Sequence, residues 1–253
     1  SRGLGDVYKR QILFCKKLVI NYNNFRKKDY MSYSKKIKIP YMLCDRYENL
    51  SLRNLVSIMG DVSLTHSYIL DKDLDKQKYR WIVYSWDIEL ISPVTYNQEI
   101  EVTTHIVDIN KFYAHRNVEV SFKGEIVARA YGVFLLLDID RMRPIKMSPN
   151  HNEASEKEEL IYEKPDLTYK KDFENTKEIM VRYTDIDSNF HVNNAVYFDY
   201  IYDLCKLDTR DIKFLNIVYK HEIRNKNSVI GEYITYDDVI DYRLRSADDL
   251  SLI

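Results

Sequence analysis

The chain has 253 residues, of which 45% are hydrophobic and 30% charged, so it has enough apolar material for one large globular domain or two domains of about 100 residues. A formal net charge of -1 gives no general argument for binding to nucleic acid or a membrane surface, and the apolar residues at 12–20 are too few for a membrane span. Three widely spaced cysteines, Cys15, Cys44 and Cys205, indicate a reducing cytoplasm rather than a disulfide framework.

Neither end of the chain carries a helical or strand period. Residues 1–30 precede Met31, which directly precedes the first ordered-looking segment, and residues 242–253 follow the last predicted strand. We interpret both ends as sequence foreign to the folded protein, such as translated adapter or vector sequence. A pair of natural disordered tails is the alternative.

A helix followed by antiparallel strands is predicted for the first unit, residues 31–147. Ser51 provides a cap for a helix over 52–70, in which apolar residues recur at three- and four-residue spacing on one face. Alternating or continuously apolar residues then predict strands at 81–90, 100–106, 118–122 and 126–137. Lys123 and Gly124 indicate a turn before the last of these strands. Trp81 and Trp86 are predicted to lie in the core.

The same plan is repeated in the second half of the chain. Residues 148–177 are charged, contain two prolines and have no sustained period, so they are predicted to be a linker. A strand at 178–183, a helix at about 194–206 and strands at about 213–223 and 228–237 follow, with a turn at 225–227. Because only two strands follow this helix, the second unit, 178–241, is predicted to be incomplete at its C-terminus.

Three polar side chains alternate just before the second predicted helix: Asp187, Asn189 and His191. In an extended segment, alternate side chains point to the same side, so all three are expected to face one spot. The backbone N–H groups of Val192, Asn193 and Asn194 would add the positive end of the helix dipole, which stabilises a developing oxyanion. A carboxylate, an amide and an imidazole in this position form a candidate site for acyl transfer to water.

Simpler interpretations exist for several of these residues. Asn193 and Asn194 are more readily explained as helix caps. His66, His105, His115, His151 and His221 are interpreted as packing or surface histidines, and without an HxxxH or CxxC pair no metal or cofactor is predicted. The basic residues Arg141, Arg143 and Lys146 are interpreted as a solvated loop rather than as a contact for an acidic partner.

Residues 182–197, with the sequence RYTDIDSNFHVNNAVY, resemble the signature of the acyl-ACP thioesterases of plants and bacteria. Residues 81–89 and 111–117 are similar to that family's first long strand and to its aromatic-Ala-x-Arg strand turn. The resemblance implies an α+β fold of two tandem hotdogs, each a long helix wrapped by a curved antiparallel sheet. The first hotdog would shape the acyl-chain cavity, and the second would carry the catalytic residues.

By the same resemblance, Asp187, Asn189 and His191 occupy catalytic positions, and a fourth catalytic residue falls on Glu222 in the strand that follows the helix. Many plant members have a cysteine after this glutamate, whereas this chain has Ile223, which excludes a cysteine nucleophile at that position. Asp187 or Glu222 would act as base or nucleophile, His191 would orient or relay protons, and Asn189 would hold water or the oxyanion.

The resemblance implies hydrolysis of fatty acyl-ACP to free fatty acid and holo-ACP, without a cofactor, by a monomeric pseudo-dimer or a homodimer. Acyl carrier protein (ACP) is therefore the expected partner. An acyl-CoA thioesterase of the same fold and a non-catalytic acyl-binding remnant are the alternatives. A hotdog dehydratase fits less well, because this chain has the Asn-rich signature in place of an Asp-x-x-x-x-His pair.

Overall fold

The computed structural model describes residues 32–147, 151, 155, 173–187, 190–207, 209–224 and 227–246. The first unit consists of β1 (Ser32–Lys38), α1 (Leu52–Leu70), β2 (Tyr79–Leu90), β3 (Glu99–Asn110), β4 (Tyr113–Phe122), β5 (Glu125–Asp138) and the short β6 (Arg143–Pro144). The second consists of β7 (Asn175–Met180), α2 (Val196–Cys205), β8 (Phe214–Val218), β9 (Ser228–Tyr236) and β10 (Val239–Ser246). Short 3₁₀ turns occupy Tyr41–Leu43, Tyr183–Asp185 and Thr209–Asp211.

Helix α1 is the central element of the first unit, and both of its predicted bounds are confirmed. Ser51 Oγ accepts a hydrogen bond from the Asn54 N–H, which satisfies one of the free donors at the helix start. The predicted apolar stripe is buried, and it lies against strands β1 and β3: Leu52, Leu55, Val56, Met59 and Val62. Trp81 and Trp86 are also buried in the core, as predicted.

One antiparallel sheet joins the two units. Its strand order is β1-β3-β4-β5-β2-β8, so that β8 of the second unit pairs with β2 of the first. The shared pairing runs from Ser85 opposite Val218 to Glu89 opposite Phe214. At Tyr84, the next residue of β2, a bulge shifts the register against β5, and the Tyr84 carbonyl accepts the N–H of Tyr219 at 2.9 Å. The loop that follows β8 is thus fixed at its first residue.

The second unit places helix α2 against a three-stranded sheet of order β10-β9-β7. The helix packs closely on the sheet at Gly231, where an added Cβ would lie 3.0 Å from the Leu204 side chain. Each unit therefore packs one helix on antiparallel strands, and the predicted α+β tandem hotdog is confirmed. No helix in the described part of the chain is long and apolar enough to cross a membrane.

The C-terminal boundary of the predicted second unit is wrong. Strand β10 crosses the expected boundary between residues 241 and 242, so three strands, not two, follow helix α2. Leu244 is buried, and the Tyr242 hydroxyl donates to the carbonyl of Asn216 on β8 at 3.2 Å. Arg243 and Arg245 both pair with Glu232 on β9, at 2.5 and 2.7 Å. Residues 242–246 are consequently an integral part of the fold.

Other predicted boundaries shift as well. Strand β8 ends at Val218 rather than near 223, and helix α2 begins at Val196 rather than near 194. Part of the predicted linker packs on the first unit, since buried His151 lies 2.8 Å from the Asp71 carboxylate through Nε2. Strand β7 begins at Asn175, inside the predicted linker. The predicted foreign segment 1–30 lies outside the described residues, as does the remainder of the predicted foreign segment 242–253, residues 247–253.

Candidate active site

In the segment that carries the predicted catalytic residues, the described residues 185–187 and 190–193 fold back on each other as the two arms of a short turn. Its two arms are joined by backbone contacts at three levels: Asn193 N to Asp185 O at 2.9 Å, an antiparallel bridge between Ile186 and Val192, and Asp187 N to His191 O at 2.9 Å. Phe190 N donates to the Asp187 carbonyl at 3.0 Å and closes the turn. Asp187 and His191 therefore face each other across the end of this turn.

This geometry corrects the reasoning from alternation. The alternating polar residues predicted one extended segment with these side chains on one side, but the chain reverses direction between Asp187 and His191. Phe190 adopts φ 62°, a left-handed conformation that such a reversal requires and that bulky residues rarely take. Asn189 lies outside the described residues, so its place at the site stays a prediction.

His191 lies between two carboxylates. Its Nδ1 is 3.7 Å from Asp187 Oδ1, and its Nε2 is 3.6 Å from Glu222 Oε1. Nδ1 also lies 3.3 Å from the carbonyl oxygen of Val192, which favours the tautomer with its proton on Nδ1. The side chains of His191, Asp187 and Glu222 are 11%, 19% and 33% exposed, respectively, so solvent reaches the site mainly on the Glu222 side.

Glu222 reaches the site from a loop, 219–224, and not from a strand as predicted. The loop is anchored at Tyr219 by the bulge of β2 and again at Ile223, whose carbonyl accepts the Val192 N–H at 3.0 Å. Ile223 is almost fully buried in the core, which fixes the loop directly beside Glu222. The second carboxylate oxygen of Glu222 accepts from Arg224 Nε at 2.6 Å. One carboxylate oxygen thus holds the side chain in place and the other faces His191.

Tyr197, in the first turn of α2, is a component of the site that sequence reasoning missed. Its ring is buried and stacks edge-on against Tyr219 at 5.2 Å between centroids. Burial raises the pKa of its phenol well above the ordinary value; the Ile223 N–H lowers it less, and the charges of Glu222 and Asp187 raise it further. At neutral pH it is therefore an uncharged hydroxyl in the field of both carboxylates. Tyr197 is the last residue of the segment 182–197 that resembles the family signature, and this position was the available signal in the sequence.

Two of the three predicted oxyanion donors are already in use. The N–H of Val192 donates to Ile223, and the N–H of Asn193 donates to the Asp185 carbonyl. The expectation that these two groups face an oxyanion is therefore wrong. The Asn193 side chain forms a turn directly before the helix, since its Oδ1 accepts the Ala195 N–H at 2.8 Å. The structure gives the Asn194 N–H no hydrogen-bond partner among the described residues.

The predicted packing and surface histidines lie outside this cluster. His66 bonds buried Arg116 at 3.0 Å, His115 bonds the Tyr131 hydroxyl at 2.6 Å, and His221 is exposed. The basic residues Arg141, Arg143 and Lys146 are exposed. In the part of the chain that the structure describes, no three His, Cys, Asp or Glu side chains are grouped so that they could hold a metal ion.

Comparisons with known proteins agree with the fold of two units. The family model of the acyl-ACP thioesterase N-terminal domain matches residues 30–154, and that of the acyl-ACP thioesterase C-terminal domain matches residues 168–244. An uncharacterized protein of Mycobacterium tuberculosis is 21% identical over 212 residues, which cover 81% of this chain and 84% of that protein.

Two solved structures share the fold over nearly their whole length. An acyl-ACP thioesterase from Bacteroides thetaiotaomicron superposes with a TM-score of 0.74 at 16% identity, covering 90% of this chain and 97% of that one. The 12:0-ACP thioesterase from Umbellularia californica gives 0.72 at 14% identity, with 88% and 94% covered. At these identities the likeness concerns the tandem arrangement of the two units.

Proposed function

The chain belongs to the acyl-ACP thioesterase family and is a thioester hydrolase, and we propose that His191, Glu222 and Asp187 are the groups with which it hydrolyses fatty acyl-ACP. The observation that carries this proposal is the imidazole of His191 held between two carboxylates, 3.6 and 3.7 Å away. The products are a free fatty acid and holo-ACP.

Hydrolysis of a thioester needs a base to activate water and an acid to protonate the leaving sulfur. Glu222 is the more exposed carboxylate and takes the proton of a water molecule as its oxygen attacks the thioester carbonyl. Glu222 passes this proton to Nε2 of His191, which becomes an imidazolium. The C–S bond breaks as the tetrahedral intermediate collapses, and the imidazolium delivers the proton from Nε2 to the thiolate, so that both groups return to their starting states. The 3.6 Å separation shortens when substrate closes the site, as is common for catalytic contacts in unliganded enzymes.

Asp187 has a different role, because it lies on the Nδ1 side of the imidazole. It keeps the Nδ1–H tautomer and stabilises the imidazolium that forms during proton transfer. The neutral phenol of Tyr197 supplies a fixed dipole near both carboxylates. The Asn194 N–H and the predicted Asn189 amide complete the site as donors toward the carbonyl oxygen.

The pairing of β8 with β2 supports a monomer in which the two hotdogs act as a pseudo-dimer. A single chain then contains both the predicted acyl cavity in the first hotdog and the candidate catalytic groups in the second. Cysteine usage supports a cytoplasmic location.

The carrier specificity is tested by measuring kcat/KM for the same acyl group attached to ACP and to CoA. We expect ACP to be preferred by at least about tenfold, a difference of about 1.4 kcal/mol in transition-state binding. A preference for CoA would replace the carrier-protein assignment with the acyl-CoA alternative. Binding of both substrates without thiol release would identify the chain as a non-catalytic acyl-binding protein.

A further inference from the structure

A buried carboxylate lies directly behind the turn that carries Asp187 and His191. Asp185 is only 2% exposed, and its oxygens accept hydrogen bonds from the Tyr200 hydroxyl at 2.7 Å, the Arg182 N–H at 2.8 Å and Arg182 Nε at 3.0 Å. Burial alone would raise the pKa of Asp185, but the hydrogen bonds from Tyr200 and Arg182 outweigh it, and the pKa lies below its ordinary value. Asp185 is therefore ionised and fully bonded.

The backbone of Asp185 is part of the same turn. Its carbonyl accepts the Asn193 N–H at 2.9 Å, which is the first of the three contacts that join the two arms. Asp187 follows two residues later on one arm, and His191 precedes Asn193 by two residues on the other. A displacement of Asp185 consequently changes the separation between Asp187 and His191.

The same cluster connects the turn to both helices of the fold. Tyr200 lies on α2, and Arg182 also approaches Asp199 of α2 at 3.7 Å. Asp199 in turn pairs with Arg53 of α1 at 2.5 Å, across the boundary between the two units. The position of the turn is thereby set relative to the helix of each hotdog.

We propose that Asp185, held by Arg182 and Tyr200, is a positioning residue that sets the separation of Asp187 and His191 and aims the imidazole at Glu222. This inference rests on the proposed function of that site. Asp185 does not touch the reacting atoms, because its carboxylate is fully enclosed by its own bonds. Its effect on the reaction passes through the backbone of the turn.

The test is Tyr200→Phe, which removes one hydroxyl and keeps the buried ring. The matched control is Tyr202→Phe on the same helix, whose hydroxyl bonds Thr209 Oγ1 at 2.7 Å, away from Asp185. A misplacement of the order of an ångström costs up to about 100-fold in rate. We therefore expect kcat to fall by about 10- to 100-fold in Tyr200→Phe with KM nearly constant, and kcat to stay near wild type in Tyr202→Phe.

A second measurement separates this inference from the proposed function. Amide hydrogen exchange at Asn193 and Asp187 should accelerate in Tyr200→Phe relative to the strands of the first unit, and should not do so in Tyr202→Phe. Wild-type protein that releases no thiol would refute the proposed function, while the local exchange rates would still decide the positioning role. If Tyr200→Phe does not fold, Arg182→Lys provides the same test, because Lys keeps the charge but loses the fork toward Asp185. Equal kcat values and equal local exchange in the folded test variant and the Tyr202→Phe control would overturn the inference.

Discussion

Replacing Glu222 with glutamine tests the division of roles within the site. Glu222→Gln keeps the size of the side chain and its contact with Arg224, but it removes the charge and the ability to accept a proton. Because the side chain is one-third exposed and lies in a loop, the fold should be unaffected within about 1 kcal/mol. A change in rate can then be assigned to chemistry at His191.

The size of the effect follows from the 3.6 Å separation of Glu222 Oε1 and His191 Nε2. At that distance a carboxylate and an imidazolium attract by about 1 kcal/mol in water and by about 4–5 kcal/mol at an effective dielectric constant of about 20. A partly exposed site lies between these limits, at about 3 kcal/mol, which corresponds to about 100-fold in rate. The loss of general-base catalysis, which includes this attraction, is worth about 10²–10⁴-fold, so we expect kcat to fall by about 10²–10⁴-fold.

The assay is the release of holo-ACP thiol from acyl-ACP at saturating substrate, with Arg224→Gln as the control. Arg224 only holds the outer oxygen of Glu222, at 2.6 Å, and is itself nearly half exposed. Its loss should therefore lower kcat by no more than about tenfold. A Glu222→Gln variant with kcat close to that of Arg224→Gln would refute the assignment of Glu222 as the base.

Three further predictions concern the stability of the fold, each measured as a change in the urea-unfolding midpoint. Leu244→Ala should lower the free energy of unfolding by about 2–5 kcal/mol because Leu244 is only 5% exposed. An unchanged midpoint would show that β10 is not needed for the fold. Gly132→Ala should cost about 1–3 kcal/mol, since its Cβ would lie 2.6 Å from the Trp86 ring, and an unchanged midpoint would contradict that packing. Burial lowers the pKa of His151 below its unfolded-state value of about 6.5. The neutral side chain therefore contributes its full stability above about pH 6.5. This contribution is lost as the pH falls from there through the folded-state pKa. The stability difference between wild type and His151→Gln should therefore shrink between about pH 7.5 and pH 5.5, and a constant difference would exclude this linkage.

The regular elements of the first unit were predictable from sequence because local and tertiary signals agree there. The apolar spacing of 52–70 and the Ser51 cap both specify helix α1, and its apolar stripe is also the face that the sheet covers. Strand β10 was missed for the opposite reason. Tyr242 and Leu244 alternate with Arg243 and Arg245, but a two-period pattern of four residues is weak until Glu232 on β9 is known to accept both arginines.

The site was only partly predictable. The motif identified Asp187 and His191, but the alternation of polar residues predicted an extended strand. In the structure a turn brings Asp187 and His191 together, with Phe190 in a left-handed conformation. Glu222 was found through resemblance alone, since nothing local distinguishes it from other exposed carboxylates. The contact of Asp185 with Tyr200 is made by the fold, and no spacing rule in the sequence reveals it.

The proposed function depends above all on the imidazole of His191, which carries the proton in thioester hydrolysis. The most direct measurement compares fatty acid release from acyl-ACP by wild type, His191→Ala and His221→Ala. His221 is an exposed histidine one residue before Glu222, and its removal should leave the rate close to that of wild type. We predict that His191→Ala lowers kcat by about 10²–10⁴-fold without unfolding the protein. Fatty acid release by His191→Ala at the rate of His221→Ala would contradict the account.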